Sequence, residues 1–251
     1  MAFCRSCSDN WLVPPVPLPD LRVVLCQPRN PLNIGAAARA LSNFGFKHLR
    51  VVNPYDPAFR EAVSAVGGAA VLRSAELHSG VADAVRDCTL VMGTTAIGHR
   101  ELQQPLLLLA QAGPVVHANN GPVALLFGSE KFGLTNEELA FCHELVHIPT
   151  TPETPSMNLG QAVAVCLYEL TREAPSVVPK RPKRVEGSDA EQITRMTLEV
   201  LRESGYTNRI VATSIELKVR RFVRRIHLTS REAPLVLGIL RQILWKFGEK
   251  R

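Results

Sequence analysis

Five short apolar runs, separated by helix-length stretches and mostly closed by glycine, asparagine or proline, constrain this chain more than any other feature. Residues 21–26 (LRVVLC), 48–52, 89–92, 123–127 and 145–148 read as strands. They are apolar at nearly every position rather than at every second one, which is the pattern of strands buried on both faces of a parallel sheet. Residues 33–44 read as a helix, with Pro31 ahead of it and Gly45 closing it. Residues 81–86 and 158–170 are helical as well, and Thr135-Asn136-Glu137-Glu138 has the form of a capped helix start. Strands alternating with helices give an α/β fold: a parallel sheet with helices on both faces. Ligands of such sheets bind beyond the carboxyl ends of the strands. Here those ends carry Gly93, Gly128 and the stretch 149–155.

The chain divides along its length. Residues 1–20, broken by Pro14 and Pro15, read as a flexible arm rather than a secretory signal, because no apolar core of a signal can form across two prolines. Residues 21–171 make the α/β body. Residues 172–188 hold three prolines and a basic cluster and read as a linker. Residues 189–251 read as three helices: one ended by Gly205, a second over 208–227, and a third capped by Thr229 or Ser230 and running towards Phe247. No run approaches the roughly 20 apolar residues of a membrane span. Cys26, Cys88 and Cys166 fall in or beside apolar segments and are expected to pack as small hydrophobes in a reducing cytoplasm.

Charge separates the two parts. Residues 1–171 hold 11 Lys and Arg against 14 Asp and Glu, whereas residues 172–251 hold 18 against 9. A basic tail on a near-neutral body points to a polyanion, most commonly nucleic acid. On a helical wheel at about 100° per residue, Ile215, Val219, Phe222 and Ile226 share one arc. Lys218, Arg220, Arg221, Arg224 and Arg225 lie outside it, with only Glu216 to balance them. The first arc is expected to pack and the second to meet RNA phosphates; an ordinary solvated face is the alternative.

Several chemistries are absent from the sequence. It contains no GxGxxG after the first strand, no GxxxxGK[ST] and no GxSxG. Cys4 and Cys7 form a CxxC without a second pair at finger spacing, so no metal is expected. What remains is polar residues near strand ends. Asn33-Ile34-Gly35-Ala36-Ala37-Ala38-Arg39 buries Ile34, Ala38 and Leu41 in a stripe and turns Arg39 away from it. Phe127 to Gly133 (FGSEKFG) has glycines that let backbone N–H groups approach a ligand. Ile148-Pro149 is followed by Ser156-Met157-Asn158-Leu159-Gly160, where Ser156 has a plain alternative role as a helix N-cap.

Taken together and in this order, N-x-G-A-A-A-R-A, L-F-G-S-E-x-x-G-L and I-P…S-M-N-L-G-Q-A-V resemble the SPOUT superfamily of RNA methyltransferases, in its SpoU/TrmH branch. V-N-P at residues 52–54, G-T-T-A at residues 93–96 and the basic helical tail are most similar to the TrmJ type, which 2′-O-methylates tRNA in the anticodon loop, at position 32. The resemblance covers residues 21 to about 170. It implies a trefoil knot at the carboxyl end of the body, S-adenosyl-L-methionine as cofactor, a homodimer, and a tRNA partner. It implies Arg39, Asn33, Glu130, Ser156 and Asn158 as the catalytic cluster. Thr94, Thr95, Ala96, Gly128, Ile148, Met157 and Leu159 would line the cofactor. The proline-rich stretch 150–155 departs from the pattern. An enzyme of the same family acting on ribosomal RNA, and a non-catalytic RNA-binding protein on the same fold, are the alternatives.

For the chemistry, a guanidinium stays protonated in proteins. Arg39 is therefore expected to act as a fixed cation on the developing 2′-oxyanion and the adjacent phosphate. Glu130 or an RNA phosphate would take the proton.

Overall fold

The computed structural model describes residues 19–55, 68–96, 102–172, 183–207 and 212–248. The expectations for the arm, for Cys4 and Cys7, and for most of the linker lie outside these residues. The elements are β1 (Leu21–Cys26), α1 (Pro31–Asn43), β2 (His48–Val52), α2 (Ala69–Arg73), β3 (Glu76–His78), α3 (Val81–Ala84), β4 (Leu90–Thr94) and β5 (Leu106–Leu108). They continue with α4 (Leu109–His117), β6 (Val123–Phe127), α5 (Asn136–Leu139), β7 (Glu144–His147), α6 (Leu159–Arg172), α7 (Gly187–Glu203), α8 (Ala212–Arg225) and α9 (Ala233–Gly248).

The seven strands form one sheet in the order β3-β2-β1-β6-β4-β7-β5, and each neighbouring pair runs parallel. The apolar runs explain this. β1, β4, β6 and β7 are buried almost throughout, so both faces need cover. One face is covered by α1, α2, α4 and α6, with Ile34, Leu41, Val116 and Val163 in the core. The other face is covered by α3 and α5, with Val81, Leu139 and Cys142. Ile34, Ala38 and Leu41 form the buried stripe expected of α1. Cys26, Cys88 and Cys166 are buried, and burial pushes each thiol up, Cys88 and Cys166 to about 12, so they behave as inert packing groups.

Two further strands and two helices, α4 and the five-residue α2, have weak sequence signals. β3 and β5 have three residues each and lie at the sheet edges, where a strand needs little apolar content. α4 contains Pro114, which disguises it, and a Leu108 N-cap whose backbone N–H is met by Gln111. No described helix is long and apolar enough to cross a membrane.

The last three helices share a small core of their own, made by Val185, Ala190, Ile193, Val223, Ala233 and Leu237. They sit against the body. Ser188 N–H donates to the Arg86 carbonyl at 2.8 Å, and a Cβ on Gly187 would lie 2.1 Å from the Val85 carbonyl oxygen.

Here the wheel of α8 must be corrected. Phe222 and Ile226, expected to pack, are 53% and 43% exposed. Arg224, expected at the surface, is 1% exposed and ion-paired with Glu191 of α7 at 3.2 Å. Arg220 also pairs with Glu191 at 3.2 Å, and with Glu216 at 2.9 Å, and its guanidinium lies 4.7 Å from the Phe141 ring centroid. The helix is turned about a quarter-turn from the apolar arc, so that Val219, Val223, Arg220 and Arg224 face inward. The reason is Glu191 and Phe141: a carboxylate facing both arginines and an aromatic face against Arg220 admit charges that an apolar neighbour would exclude. Lys218 and Arg225 remain exposed, and Arg225 reaches the Gln103 carbonyl at 3.4 Å. Arg221 is half-buried.

Candidate active site

Three strands end at one place. Beyond the carboxyl ends of β4, β6 and β7 lies a cavity of about 370 Å³. β4 contributes Thr94, Thr95 and Ala96; the segment after β6 contributes residues 128–134; the segment after β7 contributes Ile148, Thr150, Pro155, Ser156 and Met157, followed by Leu159 and Ala162 of α6. Thr94 is fixed by donating its hydroxyl to the Leu126 carbonyl at 2.9 Å. The Thr95 amide donates to the Val146 carbonyl at 2.9 Å, which ties the β4 end to β7.

The loop after β6 is held by its backbone. Gly133 N–H donates to the Ser129 carbonyl at 2.8 Å, and Gly133 has φ +66°, where glycine carries no steric penalty. A Cβ at Gly128 would lie 1.9 Å from the Gly133 carbonyl carbon, so the loop folds flat onto itself only because residue 128 has no side chain. The stretch after β7 also closes locally despite its prolines. Thr150 donates its hydroxyl to the Pro155 carbonyl at 3.1 Å, and Thr154 N–H donates to the Thr151 carbonyl at 3.1 Å.

A hydrogen-bond chain joins the three motif segments. Glu130 accepts from the backbone N–H groups of Arg29 at 3.2 Å and Asn30 at 3.0 Å, and from the Asn33 side-chain amide at 3.1 Å. Asn33 Oδ1 accepts from Asn158 Nδ2 at 2.8 Å. Asn158 Oδ1 in turn accepts from Gly160 N–H at 2.9 Å and Gln161 N–H at 3.3 Å, which caps α6. The alternative role of Ser156 as the cap is thereby excluded; Asn158 fills it, and Ser156 faces the cavity. α1 and α6 approach closely at Ala36, whose Cβ would lie 2.6 Å from a Cβ at Gly160.

Partial burial pushes the Glu130 carboxyl up. Hydrogen bonds from Asn33 and from the backbone amides of Glu130 itself, Asn30 and Arg29 outweigh that, so its pKa lies below the ordinary carboxylate value. A carboxylate stabilised in this way is a poor proton acceptor. The same hydrogen bonds tie the start of α1 to the loop after β6.

Every residue expected at the cofactor lines the cavity: Thr94, Thr95, Ala96, Gly128, Ile148, Met157 and Leu159. Of the expected catalytic cluster, Glu130 and Ser156 line it, while Asn33 stands one hydrogen bond behind Glu130 and Asn158 two. Arg39 does not line it; its side chain is exposed on the outer face of α1. Sequence reasoning missed Lys131, Phe132, Leu134, Thr150 and Ala162 on the cavity wall, since each stands beside a motif residue without a chemical signature of its own. Among the described residues no group of three metal-ligating side chains occurs.

The residues fit S-adenosylmethionine. The volume is that of a small-molecule pocket, glycine backbone allows close approach, and the wall mixes Ile148, Met157 and Leu159 with threonine hydroxyls. A sequence profile of the SpoU rRNA Methylase family matches residues 20–168. The tRNA (cytidine/uridine-2′-O-)-methyltransferase TrmJ of Escherichia coli (strain K12) is 34% identical over 237 residues, spanning 90% of this chain and 96% of that protein. Its counterpart from Sodalis glossinidius (strain morsitans) is 32% identical over 235 residues, spanning 90% of this chain and 92% of the relative. Among solved structures, TrmJ from Z. mobilis ZM4 superposes with a TM-score of 0.79 at 30% identity, covering 88% of this chain and 98% of the other. The chain belongs to the SpoU rRNA Methylase family and is an RNA methyltransferase that uses S-adenosylmethionine.

Proposed function

We propose that this chain methylates the ribose 2′-hydroxyl of a cytidine or uridine in the anticodon loop of tRNA, at position 32, and does so as a cytoplasmic homodimer without a metal ion. The observation that carries the reading is the chain Glu130–Asn33–Asn158, which fixes α1, the loop after β6 and the start of α6 around one cavity. The substrate follows the similarity to the TrmJ proteins over nine tenths of the chain. The basic helical part supports it as well, as a domain of its own joined through residues 172–188. A trefoil knot at the carboxyl end of the body is part of the same proposal, the cavity being ringed by the segments that such a knot would thread.

The cofactor supplies an electrophilic methyl on a sulfonium. The protein's share is to bind it, orient the ribose and compensate charge. Thr94, Thr95, Gly128, Ile148, Met157 and Leu159 hold the cofactor side. Arg39 serves as the fixed cation on the 2′-oxygen and the neighbouring phosphate, its fork suited to both. Arg39 is exposed and does not line the cavity of its own chain, which suits action in the cavity of a second copy, as the resemblance implies. Exposed Leu32 and Tyr168, the latter edge-on to Phe44, are apolar surface that such a contact would cover. Ser156 lies on the cavity wall, where its hydroxyl can meet the ribose. With Glu130 committed as an acceptor, the 2′-proton leaves to an RNA phosphate or to water. Lys218, Arg221 and Arg225 take the tRNA backbone; Arg220 and Arg224 do not, being paired with Glu191.

The test is transfer of labelled methyl from S-adenosylmethionine into tRNA and into ribosomal RNA, read by nucleoside mass spectrometry, with light scattering for the dimer. Label in 2′-O-methylcytidine or 2′-O-methyluridine of tRNA is the expected result. Label in ribosomal RNA alone would overturn the substrate, and an active monomer would overturn the dimer.

A further inference from the structure

The tip of the loop after β6 carries two side chains that the site described above leaves unused. Phe132 is 62% exposed, and the Lys131 ammonium lies 5.2 Å from the centroid of its ring. Both line the cavity. A single exposed apolar residue is ordinary on a protein surface. This one differs in its mounting. The ring sits between Glu130, whose carboxylate accepts three N–H donors, and Gly133, which is bonded back to Ser129; Leu134 beyond it is buried. The tip is thus fixed at both ends and holds an aromatic ring and a cation at the rim of the cofactor cavity.

The chemistry of the proposed reaction requires a nucleotide at that rim. A 2′-hydroxyl can reach the methyl only if its ribose enters the cavity mouth, and its base must then leave the stack of its neighbours. An unstacked base needs a new π-face to rest on, and its phosphate needs a cation. We infer that Phe132 is the stacking platform for the base of the target nucleotide and that Lys131 takes that nucleotide's phosphate. A base entering on the lysine side exchanges a cation–π contact for stacking, and the flexible lysine stem swings its ammonium to the phosphate. Stacking reads the face of a base and not its hydrogen-bonding edge, so the platform accepts cytidine and uridine alike. The inference rests on the proposed RNA substrate and adds to it the group that holds the base.

The experiment uses the full chain and whichever RNA the unaltered protein methylates, so that failure of the substrate proposal is seen first, in the unaltered protein. Phe132→Ala should lower kcat/KM for that RNA by roughly 5- to 150-fold, the range for removal of one base stack. Affinity for S-adenosylmethionine by calorimetry should stay close to that of the parent, since the ring is 62% exposed at the rim. Phe132→Trp should restore activity, and its added tryptophan emission should be quenched by the RNA. Phe132→Leu, apolar without a π-face, should not restore it. Lys131→Gln should lower the salt slope of RNA binding by roughly one phosphate contact, about 0.7–0.9. Two results would overturn the inference: leucine serving as well as phenylalanine, or cofactor affinity falling in step with turnover, which would make Phe132 a cover for the cofactor.

Discussion

Helices α1 and α8 each carry arginine and each pack one face against the rest of the molecule, yet they place that arginine oppositely. α1 buries Ile34, Ala38 and Leu41 completely and leaves Arg39 in solvent. α8 buries Val223 and Arg224 and leaves Phe222 exposed. The difference lies in what each helix packs against. α1 lies on the sheet and on α6, where Ala36 meets Gly160 and the buried stripe of α1 joins an apolar core. An inward arginine there would be an unpaired buried charge, costing several kcal/mol. α7 offers α8 the Glu191 carboxylate, and Phe141 offers its ring, so two arginines can turn inward. An arginine is available for chemistry where its neighbours are apolar and is consumed where a carboxylate has been provided.

The largest effect should come from the arginine left free. Arg39→Ala should cut methyl transfer by about 10²–10³-fold or more, the usual loss when one donor to a developing oxyanion is removed. Thermal stability and cofactor affinity should barely change, because the side chain is exposed and its proposed role is on the ribose and phosphate rather than on the cofactor. Lysine should rescue poorly, since a point charge cannot reproduce the fork. Single-turnover rates and calorimetry on the same variant decide it; cofactor affinity falling in parallel with rate would move Arg39 to the cofactor side.

The consumed arginines should respond in the opposite way. Glu191→Ala leaves Arg224 buried with its ion pair removed, and its Nε and Nη1 already have no hydrogen-bond partner among the described residues. Burial lowers the Arg224 pKa and the Glu191 charge opposes that, so the carboxylate is what makes the buried cation tolerable. Denaturant unfolding should show a loss of about 3–5 kcal/mol, with cofactor affinity intact. Replacing Arg224 by Met together with Glu191 by Leu should recover most of it. A loss within the scatter of a surface pair, about 0–1 kcal/mol, would mean that the tail opens in solution and that Arg224 is solvated.

What the sequence discloses differs between these regions for the same physical reason. The parallel sheet, its two-sided cover and the strand ends that carry the cavity are legible in it, because uninterrupted apolar runs and strand-end glycines depend on local sequence; the individual cavity residues are named only through the resemblance to the SpoU/TrmH branch. Glu130 can be named from its motif, but not its three N–H donors, since Arg29 and Asn30 lie about a hundred positions away in the chain. The orientation of α8 is not legible at all. A helical wheel ranks residues by apolarity and does not know that Glu191, 33 residues before Arg224, lies across the contact. β3 and β5 escape because three-residue edge strands carry too little pattern to separate from loops.

A smaller effect separates arginines that touch RNA from those that do not. Lys218→Ala with Arg225→Ala should reduce the slope of log affinity for tRNA against log salt by roughly 0.7–0.9 for each phosphate no longer held. The reduction should be the same for any tRNA sequence, as phosphate contacts position and do not specify. Arg224→Met should leave the slope unchanged. Equal slopes for all three would show that the basic character of the tail serves its packing on the body and nothing else.

The smallest effect tests whether the body has a buried pair comparable to that of the tail. Arg50 of β2, 7% exposed, holds Asp87 through contacts of 2.5 Å and 3.1 Å and also pairs with Glu76 at 3.2 Å. Burial pushes the Asp87 carboxyl up, but the hydrogen bond and charge of Arg50, with help from Arg22, bring it down to about 2 from an ordinary 3.8. Since the folded pKa is the lower one, the pair stabilises fully above about pH 4, where both states are ionised. The contribution is lost as pH falls through about 2, where the folded state too takes up the proton. The carboxylate side chain is 35% exposed, so solvent screening reduces the contribution to about 1 kcal/mol. Stability measured by urea unfolding should therefore decline between about pH 4 and 2, and Asp87→Asn should be less stable at neutral pH and flatter across that window. Arg50 is expected to tolerate the change better than Arg224 tolerates loss of Glu191, because Glu76 and the Ala84 carbonyl at 2.8 Å still hold it. If Asp87→Asn proved as costly as Glu191→Ala, the two pairs would be alike, and the extra partners of Arg50 would not be what protects it.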